Sequence, residues 1–355
     1  SSQLESVSLP SSFTEIGEGM FAGCISLKRV SFPSDEYKSI PASAFKNCSQ
    51  LENIPYENAE SLGDYALSGC SQITAIDLSN ITSLGKYALE KTGLTSISIP
   101  DNITDLQEGL FRQCSSLSEV DLNSVVRIRK EAFFGTAVKS ITVPSTMEKI
   151  SRDAFASCTD LKEFVLTGGN LGLNQIFGYV SDNTGTYIPK IVIPKEMTSI
   201  STFVDDDDTS SGGMFGSHVG SLEFEDGCQL SSFGGAGYME IVSIELPESI
   251  KVLEEGAFRG CKKLRTVALK SVETIGASAF ASCAMLENVD FSSSLITIDE
   301  SAFAYCSALK KVELPSALSN IGTSAFSNTG LQSITIPSSV VSMGERVFDG
   351  CSEIE

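Results

Sequence analysis

Apolar residues recur with one spacing along nearly the whole chain, and this period predicts the architecture. A block of about 22 residues reads I-G-x-x-A-F-x-x-C-x-x-L-x-x-V-x-L-P. One aromatic or leucine position of the block is held by Phe45, Leu67, Leu89, Phe111, Phe133, Phe155 and Phe177, and it returns at Phe258, Phe280, Phe303, Phe326 and Phe348. A unit this short cannot bury its apolar positions alone. Neighbouring units must therefore stack into a solenoid with one continuous core.

Each block divides into a strand and a turn. The segment L-x-x-V-x-L-P alternates apolar and polar residues, which predicts one short parallel strand per repeat and about 15 repeats in all. The last apolar position of that strand recurs at Leu9, Phe32, Tyr56, Leu78, Ile99, Leu122, Val143, Leu166, Ile193, Phe224, Leu246, Leu269, Phe291, Leu314 and Ile336. The rest of the block is too short for an α-helix, so we expect turns or 3-10 segments on the other side.

Glycine often follows the Ile or Leu at the corner of the block, as in Ile275-Gly276. Gln107, Arg129 and Asp299 take that place in other blocks, so a positive φ is not required there.

The period predicts a single domain over residues 1–355, because a solenoid grows in one dimension without a domain break. Residues 167–246 depart from the pattern: strand spacing stretches by about 5 and about 9 residues, and the cysteine position is missing. Insertions in solenoids project from one face, which is often the binding face. We therefore expect an irregular, insertion-bearing centre.

Two consecutive blocks carry a family resemblance. Their matching residues are Ile275, Gly276, Ala279, Phe280, Cys283, Leu286, Val289 and Phe291, followed by Ile298, Ala302, Phe303, Cys306, Leu309, Val312, Leu314 and Pro315. This pattern resembles the leucine-rich repeats of BspA-type bacterial surface proteins, over about 80% of the chain. The resemblance implies a leucine-rich repeat solenoid without a cofactor, exported or attached to the cell surface. Some members of the family are adhesins for host matrix proteins or other bacteria.

Charge narrows the classes of partner. The net charge of −20 argues against nucleic acid and anionic membrane surfaces, since both need a basic footprint. No apolar run approaches the length of a membrane span. The chain starts at Ser1-Ser2 without a signal-peptide pattern, as a mature or excised form would. We expect a monomer, with self-association through the unfinished last repeat at Cys351 as the alternative.

Nine of the ten cysteines follow the repeat, and Cys228 lies outside it. A position three residues after the Phe/Leu column is held by Cys24, Cys48, Cys70, Cys114, Cys158, Cys261, Cys283, Cys306 and Cys351. Three neighbours such as Cys24, Cys48 and Cys70 cannot all pair within one column, and Thr92 and Thr136 take the same place elsewhere. A ladder of reduced, buried thiols is therefore favoured over disulfides, and zinc lacks a C-x-x-C pair.

Aromatic residues of the irregular centre are the first candidates for ligand binding. They are Tyr179, Tyr187, Phe203, Phe215, Phe233 and Tyr238. They could form an exposed platform for a protein or for stacked sugar rings. The favoured alternative is that most of them plug the core, as their counterparts in other repeats do.

Four consecutive aspartates, Asp205, Asp206, Asp207 and Asp208, suggest a calcium loop, because Ca²⁺ prefers carboxylate and carbonyl oxygens. Their spacing fits neither an EF-hand nor a glycine-aspartate repeat. A solvated acidic loop is the favoured interpretation.

The residue before the last apolar position of each strand should point outward. This row contains Ser31, Asp77, Ser98, Asp121, Thr142, Glu223, Glu245, Asp290, Glu313 and Thr335. Its hydroxyl and acidic groups could steer a basic partner. The favoured alternative is a solvated face that keeps an exposed sheet from aggregating.

Catalysis is not predicted. His218 is the only histidine, so a nucleophile activated by histidine would depend on it, and a surface role is favoured for this residue. No carboxylate pair stands out, which leaves a polysaccharide-acting enzyme as a remote alternative. The sequence thus predicts a non-enzymatic, extracellular or cell-surface module that binds a protein. Glycan binding by the central aromatics is the alternative.

Overall fold

The computed structural model describes residues 3–13, 15–32, 38–52, 59–151, 153–167, 189–197, 200 and 219–354. The chain forms two compact units, Ser1–Lys162 and Glu163–Glu355. Within each unit the described residues form a solenoid of parallel strands, and none of them is helical. The predicted β-solenoid is therefore confirmed. Its continuity as a single domain over residues 1–355 stays a prediction.

The predicted strand of each repeat forms what we call the long ladder. In the first unit its strands are β1 (Ser6–Ser8), β2 (Arg29–Ser31), β6 (Ser96–Ser98), β8 (Glu119–Asp121) and β10 (Ser140–Val143). In the second unit they are β12 (Glu163–Leu166), β13 (Lys190–Ile193), β14 (Leu222–Phe224), β16 (Ser243–Glu245), β18 (Thr266–Ala268) and β20 (Asn288–Asp290). Alternate side chains point inward, so Ile97 of β6 is buried between the exposed Ser96 and Ser98.

A second strand in most turns was not predicted. It forms a short ladder of two-residue strands that end on the apolar residue before the corner, which is Ile or Leu except at Phe233 and Met343. In the first unit these are β3 (Ser39–Ile40), β4 (Ser61–Leu62), β5 (Ser83–Leu84), β7 (Asp105–Leu106), β9 (Arg127–Ile128) and β11 (Lys149–Ile150). In the second they are β15 (Ser232–Phe233), β17 (Val252–Leu253), β19 (Thr274–Ile275), β21 (Thr297–Ile298), β22 (Asn320–Ile321) and β23 (Ser342–Met343), all paired in that order.

Turn segments follow the short ladder and are held by alternating main-chain hydrogen bonds. The N–H of Ser68 donates to the carbonyl of Tyr65 within its own turn (3.2 Å), whereas the N–H of Leu67 donates to Ala88 in the next turn (2.9 Å). This alternation places some residues in the left-handed region, with φ of 56° at Tyr65 and 82° at Gly69. The predicted turn side is thus a chain of tight turns in which nearly every donor is used.

The predicted Phe column is the centre of the core. In the second unit the rings of Phe258, Phe280 and Phe303 stack at centroid separations of 5.3 and 5.2 Å, close to the spacing of parallel strands. Phe233 joins this column 5.3 Å from Phe258 and is fully buried. The hypothesis of an exposed platform is therefore wrong for Phe233, because its ring fills the gap between two turns.

The cysteine column lies beside the Phe column, and all ten cysteines are free. Each thiol of the column beyond Cys24 donates to a main-chain carbonyl of the preceding turn, as Cys283 Sγ does to Phe258 (3.1 Å). Where threonine replaces cysteine, its hydroxyl donates within its own turn, as Thr329 Oγ1 does to Phe326 (2.9 Å). A small buried donor is therefore what this position requires.

Corner glycines allow close approach rather than an unusual φ. Gly85 has no positive φ, but a Cβ placed on it would lie 2.5 Å from the main-chain nitrogen of Asp64 in the preceding turn. The prediction that the corner needs no positive φ is confirmed.

Three predicted strands do not form ladders. Residues 74–78, which end at Leu78, are not in a strand, and those that end at Leu314 and Ile336 share only the bridge between Lys311 and Ser333. The short ladder and the Phe column hold successive turns together in the second unit, so pairing in the long ladder is not needed everywhere.

Candidate interaction surface

Several predicted binding residues lie outside the described residues. They are Tyr179, Tyr187, Phe203, Asp205, Asp206, Asp207, Asp208 and Phe215, together with His218. Their proposed roles stay predictions. In the described part of the chain, no group of three or more His, Cys, Asp or Glu side chains is placed to hold a metal ion. No helix among those residues is long and apolar enough to cross a membrane.

In the first unit, the outward aspartates of the long-ladder face bind their own main chain. The carboxylate of Asp77 accepts the N–H of Ser79 (2.9 Å), and this hydrogen bond lowers the pKa of Asp77. Asp121 accepts the N–H of Asn123 (3.2 Å) and the hydroxyl of Ser98 (3.3 Å). Both carboxylates stabilise the turn at which the strand segment ends.

In the second unit, most outward acids are paired with lysines. The carboxylate of Glu223 lies 3.3 Å from the ammonium group of Lys190. Glu245 lies 2.7 Å from Lys270, and hydrogen bonding to this carboxylate raises the pKa of the lysine. Such exposed pairs contribute little to stability, because solvent and salt screen them.

Glu313 is also paired, within its own segment. Its carboxylate lies 2.7 Å from the ammonium group of Lys311, and hydrogen bonding between the two lowers the pKa of Glu313. Most carboxylates of the predicted outward row are thus held by a lysine or by a main-chain N–H group.

Asp290 differs from the other members of the row. Its side chain is exposed, and its carboxylate makes no hydrogen bond or ion pair with another described residue. The register pairs Glu245 with Ala268 and Ala268 with Asp290, so these three side chains point to the same face at successive strands. Asp290 is therefore the uncompensated negative charge on the last of the three paired strands β16, β18 and β20.

Asp290 lies in a groove on the long-ladder face, which we call the strand-face groove. Its volume is about 910 Å³. It is lined by Glu287, Asn288, Val289, Asp290 and Phe291 from one turn and by Ala308, Lys310, Lys311, Val312 and Glu313 from the next. The structure thus brings Asp290 and Glu313 together in one groove.

The groove marks the place where the long ladder opens. β16, β18 and β20 are paired over three residues each, but no main-chain hydrogen bond joins residues 287–291 to residues 308–314. This opening could not be predicted from the sequence, because residues 308–314 follow the same repeat pattern as the paired strands. The intermediate burial of Val289 and Phe291, at positions that the pattern assigns to the core, reveals it only in the structure.

Tyr238 lies away from the groove, on the turn side of the second unit. It is half-buried, and its ring covers Gly260, where an added Cβ would lie 2.4 Å from Cδ1 of the tyrosine. Much of one side of the ring is thus occupied by main chain. This contact favours a packing role for Tyr238 over a stacking platform.

The turn side of the first unit carries a polar network that the sequence did not suggest. The guanidinium of Arg112 donates to Glu90 (3.2 Å) and to Glu131 (2.8 Å), and it lies 4.9 Å from the ring centre of Phe134. Glu90 is only 8% exposed and also accepts the hydroxyl of Ser68 (2.8 Å). Every charge here is satisfied, which indicates a structural role.

The same repeat pattern occurs in known proteins. A family model described as the BspA type leucine rich repeat region, in six copies, matches residues 1–118, 82–204 and 232–355. No curated protein matches the chain.

Several solved structures are similar to the chain. They include a leucine-rich repeat protein from Bacteroides ovatus, with 21% identity over 99% of this chain and 86% of that chain and a TM-score of 0.48. A leucine-rich cell surface protein from Faecalibacterium prausnitzii has 25% identity over the same shares, with a TM-score of 0.42. The pneumococcal vaccine antigen PcpA has 16% identity over 98% of this chain and 77% of that chain, with a TM-score of 0.37. All three TM-scores are below 0.5, so the family assignment depends on the family model.

Proposed function

This chain belongs to the BspA-type leucine-rich repeat family, and from that premise we propose that it is an adhesin-like module, extracellular or at the cell surface, that binds a protein. The long-ladder face is the proposed contact surface. Parallel strands about 4.8 Å apart present their outward side chains in rows, which suits contact with an extended partner. The net charge of −20 would attract a partner with a basic surface.

One observation carries the proposal: the row of Glu245, Ala268 and Asp290 runs into the strand-face groove, and its last carboxylate is unpaired. An exposed carboxylate that is already in an ion pair must exchange one cation for another on binding, which gains little. Asp290 carries no such pair, so a basic group of the ligand would add a new interaction there.

Binding of the full chain to purified matrix proteins and bacterial surface proteins, at low and at high ionic strength, tests the proposal. We expect a protein that binds and whose affinity falls with salt, because exposed charges are screened. If no protein of the panel binds, the adhesin role is contradicted.

Two charge-reversal variants locate the contact. Asp290→Lys changes the groove, whereas Glu300→Lys makes the same charge change at an exposed corner residue of the same unit. We expect Asp290→Lys to weaken binding more than Glu300→Lys does. Equal losses would indicate a general effect of net charge and would remove the groove from the proposal.

A glycan array measured alongside tests the alternative. Salt-insensitive binding to sugars, abolished by Tyr179→Ala or Tyr187→Ala, would move the site to the central aromatics. New reducing ends in an incubated polysaccharide would instead favour the enzymatic alternative.

A further inference from the structure

The strand-face groove exposes an unpaired edge of a strand in the middle of a repeat array. β18 pairs with β20 over its full length, but the equivalent segment of the next turn, residues 311–313, does not continue the sheet. The same turns remain joined by the pairing of β19, β21 and β22, and by the stacked rings of Phe280, Phe303 and Phe326. The opening is therefore local and confined to one face.

The main chain of β20 points into this opening at alternate residues. Asn288 donates its N–H to Arg265, and Asp290 accepts from Leu269 with its carbonyl, so both residues use their main chain toward the preceding turn. Along a parallel strand, successive residues direct these groups to opposite sides. The N–H and C=O of Val289, and the N–H of Phe291, therefore face the groove without a main-chain partner in the next turn.

Side chains of the groove add an apolar floor and charged groups of both signs, of which Lys311 pairs with Glu313. Glu287 pairs with Arg265, and Lys310 also lines the groove. Val289 and Phe291 are half-buried, whereas Val267 and Leu269, their counterparts one turn earlier, are 2% and 0% exposed. The outward carboxylate of Asp290 stands between them in sequence and has no partner among the described residues. An occupant would meet main-chain donors and acceptors, apolar surface and a negative charge in alternation.

We propose that the strand-face groove is a strand-addition site, which binds an extended, basic segment of the protein ligand along the open edge of β20. This inference rests on the proposed function and specifies its partner. A peptide in strand conformation satisfies the main-chain groups of Val289 and Phe291. Its alternate side chains then face either the apolar floor or the outer surface, where a lysine or arginine reaches Asp290.

A nonapeptide of alternating valine and lysine is a suitable probe, because its two faces match the floor and the outer row. Two control peptides carry N-methyl groups on either the valine or the lysine amides. Both keep the charge and the side chains but lose the main-chain donors of one edge. We expect the unmodified peptide to bind the full chain and at least one control to bind about tenfold more weakly, as loss of one or two hydrogen bonds implies.

Amide hydrogen exchange of the full chain locates the probe. Saturating peptide should slow exchange at the amides of Val289 and Phe291, and should leave the paired amide of Asn288 unchanged. We expect Asp290→Lys to weaken binding of the peptide about fivefold more than Glu300→Lys does, the size expected for one exposed ion pair.

Equal affinities for all three peptides, or unchanged exchange at Val289 and Phe291, would overturn strand addition. The two proposals can fail separately. A protein ligand that binds in a salt-dependent way and loses affinity in Asp290→Lys, while these two amides stay unprotected, would retain the proposed function and exclude strand addition.

Discussion

The corner glycines should respond to the same substitution with opposite signs, depending on what lies against them. In Gly85→Ala the new methyl group would lie 2.5 Å from the main-chain nitrogen of Asp64 and 2.5 Å from the carbonyl carbon of Gly63. These atoms directly follow β4. Main-chain hydrogen bonds from the N–H of Gly63 to Ile40 and from the N–H of Ser43 to the carbonyl of Asp64 hold them, so they cannot move independently. We expect destabilisation of about 1–3 kcal/mol, the usual cost of overpacking.

Gly17→Ala is the matched control in the same unit and at the same position of the repeat. A Cβ on Gly17 meets nothing within 4 Å, and its φ is not positive. Alanine should then stabilise by about 0.4–1 kcal/mol, because it restricts the unfolded chain. Urea denaturation of both variants, with unchanged m-values, measures the difference.

Equal and small effects of the two alanines would refute the reasoning. Gln107 and Arg129 occupy the corner in other turns of this unit, so a turn built around a side chain can accommodate one. If Gly85→Ala leaves the stability unchanged, the turns after β4 and β5 can shift to make room for a side chain as easily as the turns at Gln107 and Arg129 do. The role of glycine as a close-approach residue would then be wrong for this fold.

Three further predictions follow from the core and the turns. Burial raises the pKa of Cys114 to about 11 and that of Cys283 to about 12, above the ordinary thiol value of 9.0, so folding favours the protonated thiol. Stability should be unaffected by these groups below pH 9 and fall between about pH 9 and 12, and Cys283→Ser should make the fall shallower in alkaline urea titrations; an identical slope would contradict this. Arg112→Leu leaves the buried Glu90 without its guanidinium partner and should lower the free energy of unfolding by about 2–4 kcal/mol. Adding Glu90→Gln should restore part of this loss in the double variant. If the losses of the two single variants simply add in a double-mutant cycle, the coupling is refuted. Ser282 has a φ of 63°, so Ser282→Val should lower the free energy of unfolding by about 1–2 kcal/mol, because a β-branched residue is strained there. Ser293→Val, at an exposed residue, is the control in thermal melts. Equal shifts of the melting temperature in the two variants would exclude backbone strain.

A structural feature of this protein can be predicted from the sequence where it repeats from block to block. Phe280 and Cys283 were assigned to buried columns because each has a counterpart in almost every block, and both lie in those columns. Phe233 falls in the irregular stretch, where the period is lost, and its place in the Phe column was visible only in the structure.

The candidate site illustrates the opposite case. Residues 288–290 and 311–313 carry the same alternation of polar and apolar residues, yet β20 is paired on only one edge. The pattern specifies which side chains point inward, but main-chain pairing depends on the distance between turns.

The sequence alone determined the repeat, its apolar columns and the outward row that contains Asp290, because these follow from periodicity and from the need to bury apolar surface. Only the tertiary structure decided which outward charges are compensated. The lysine that pairs with Glu245 is Lys270 of the next turn, and the register of the strands brings the two together. The opening beside Val289 was likewise decided by packing, since a hydrogen bond between turns forms only where two strands come within reach of each other.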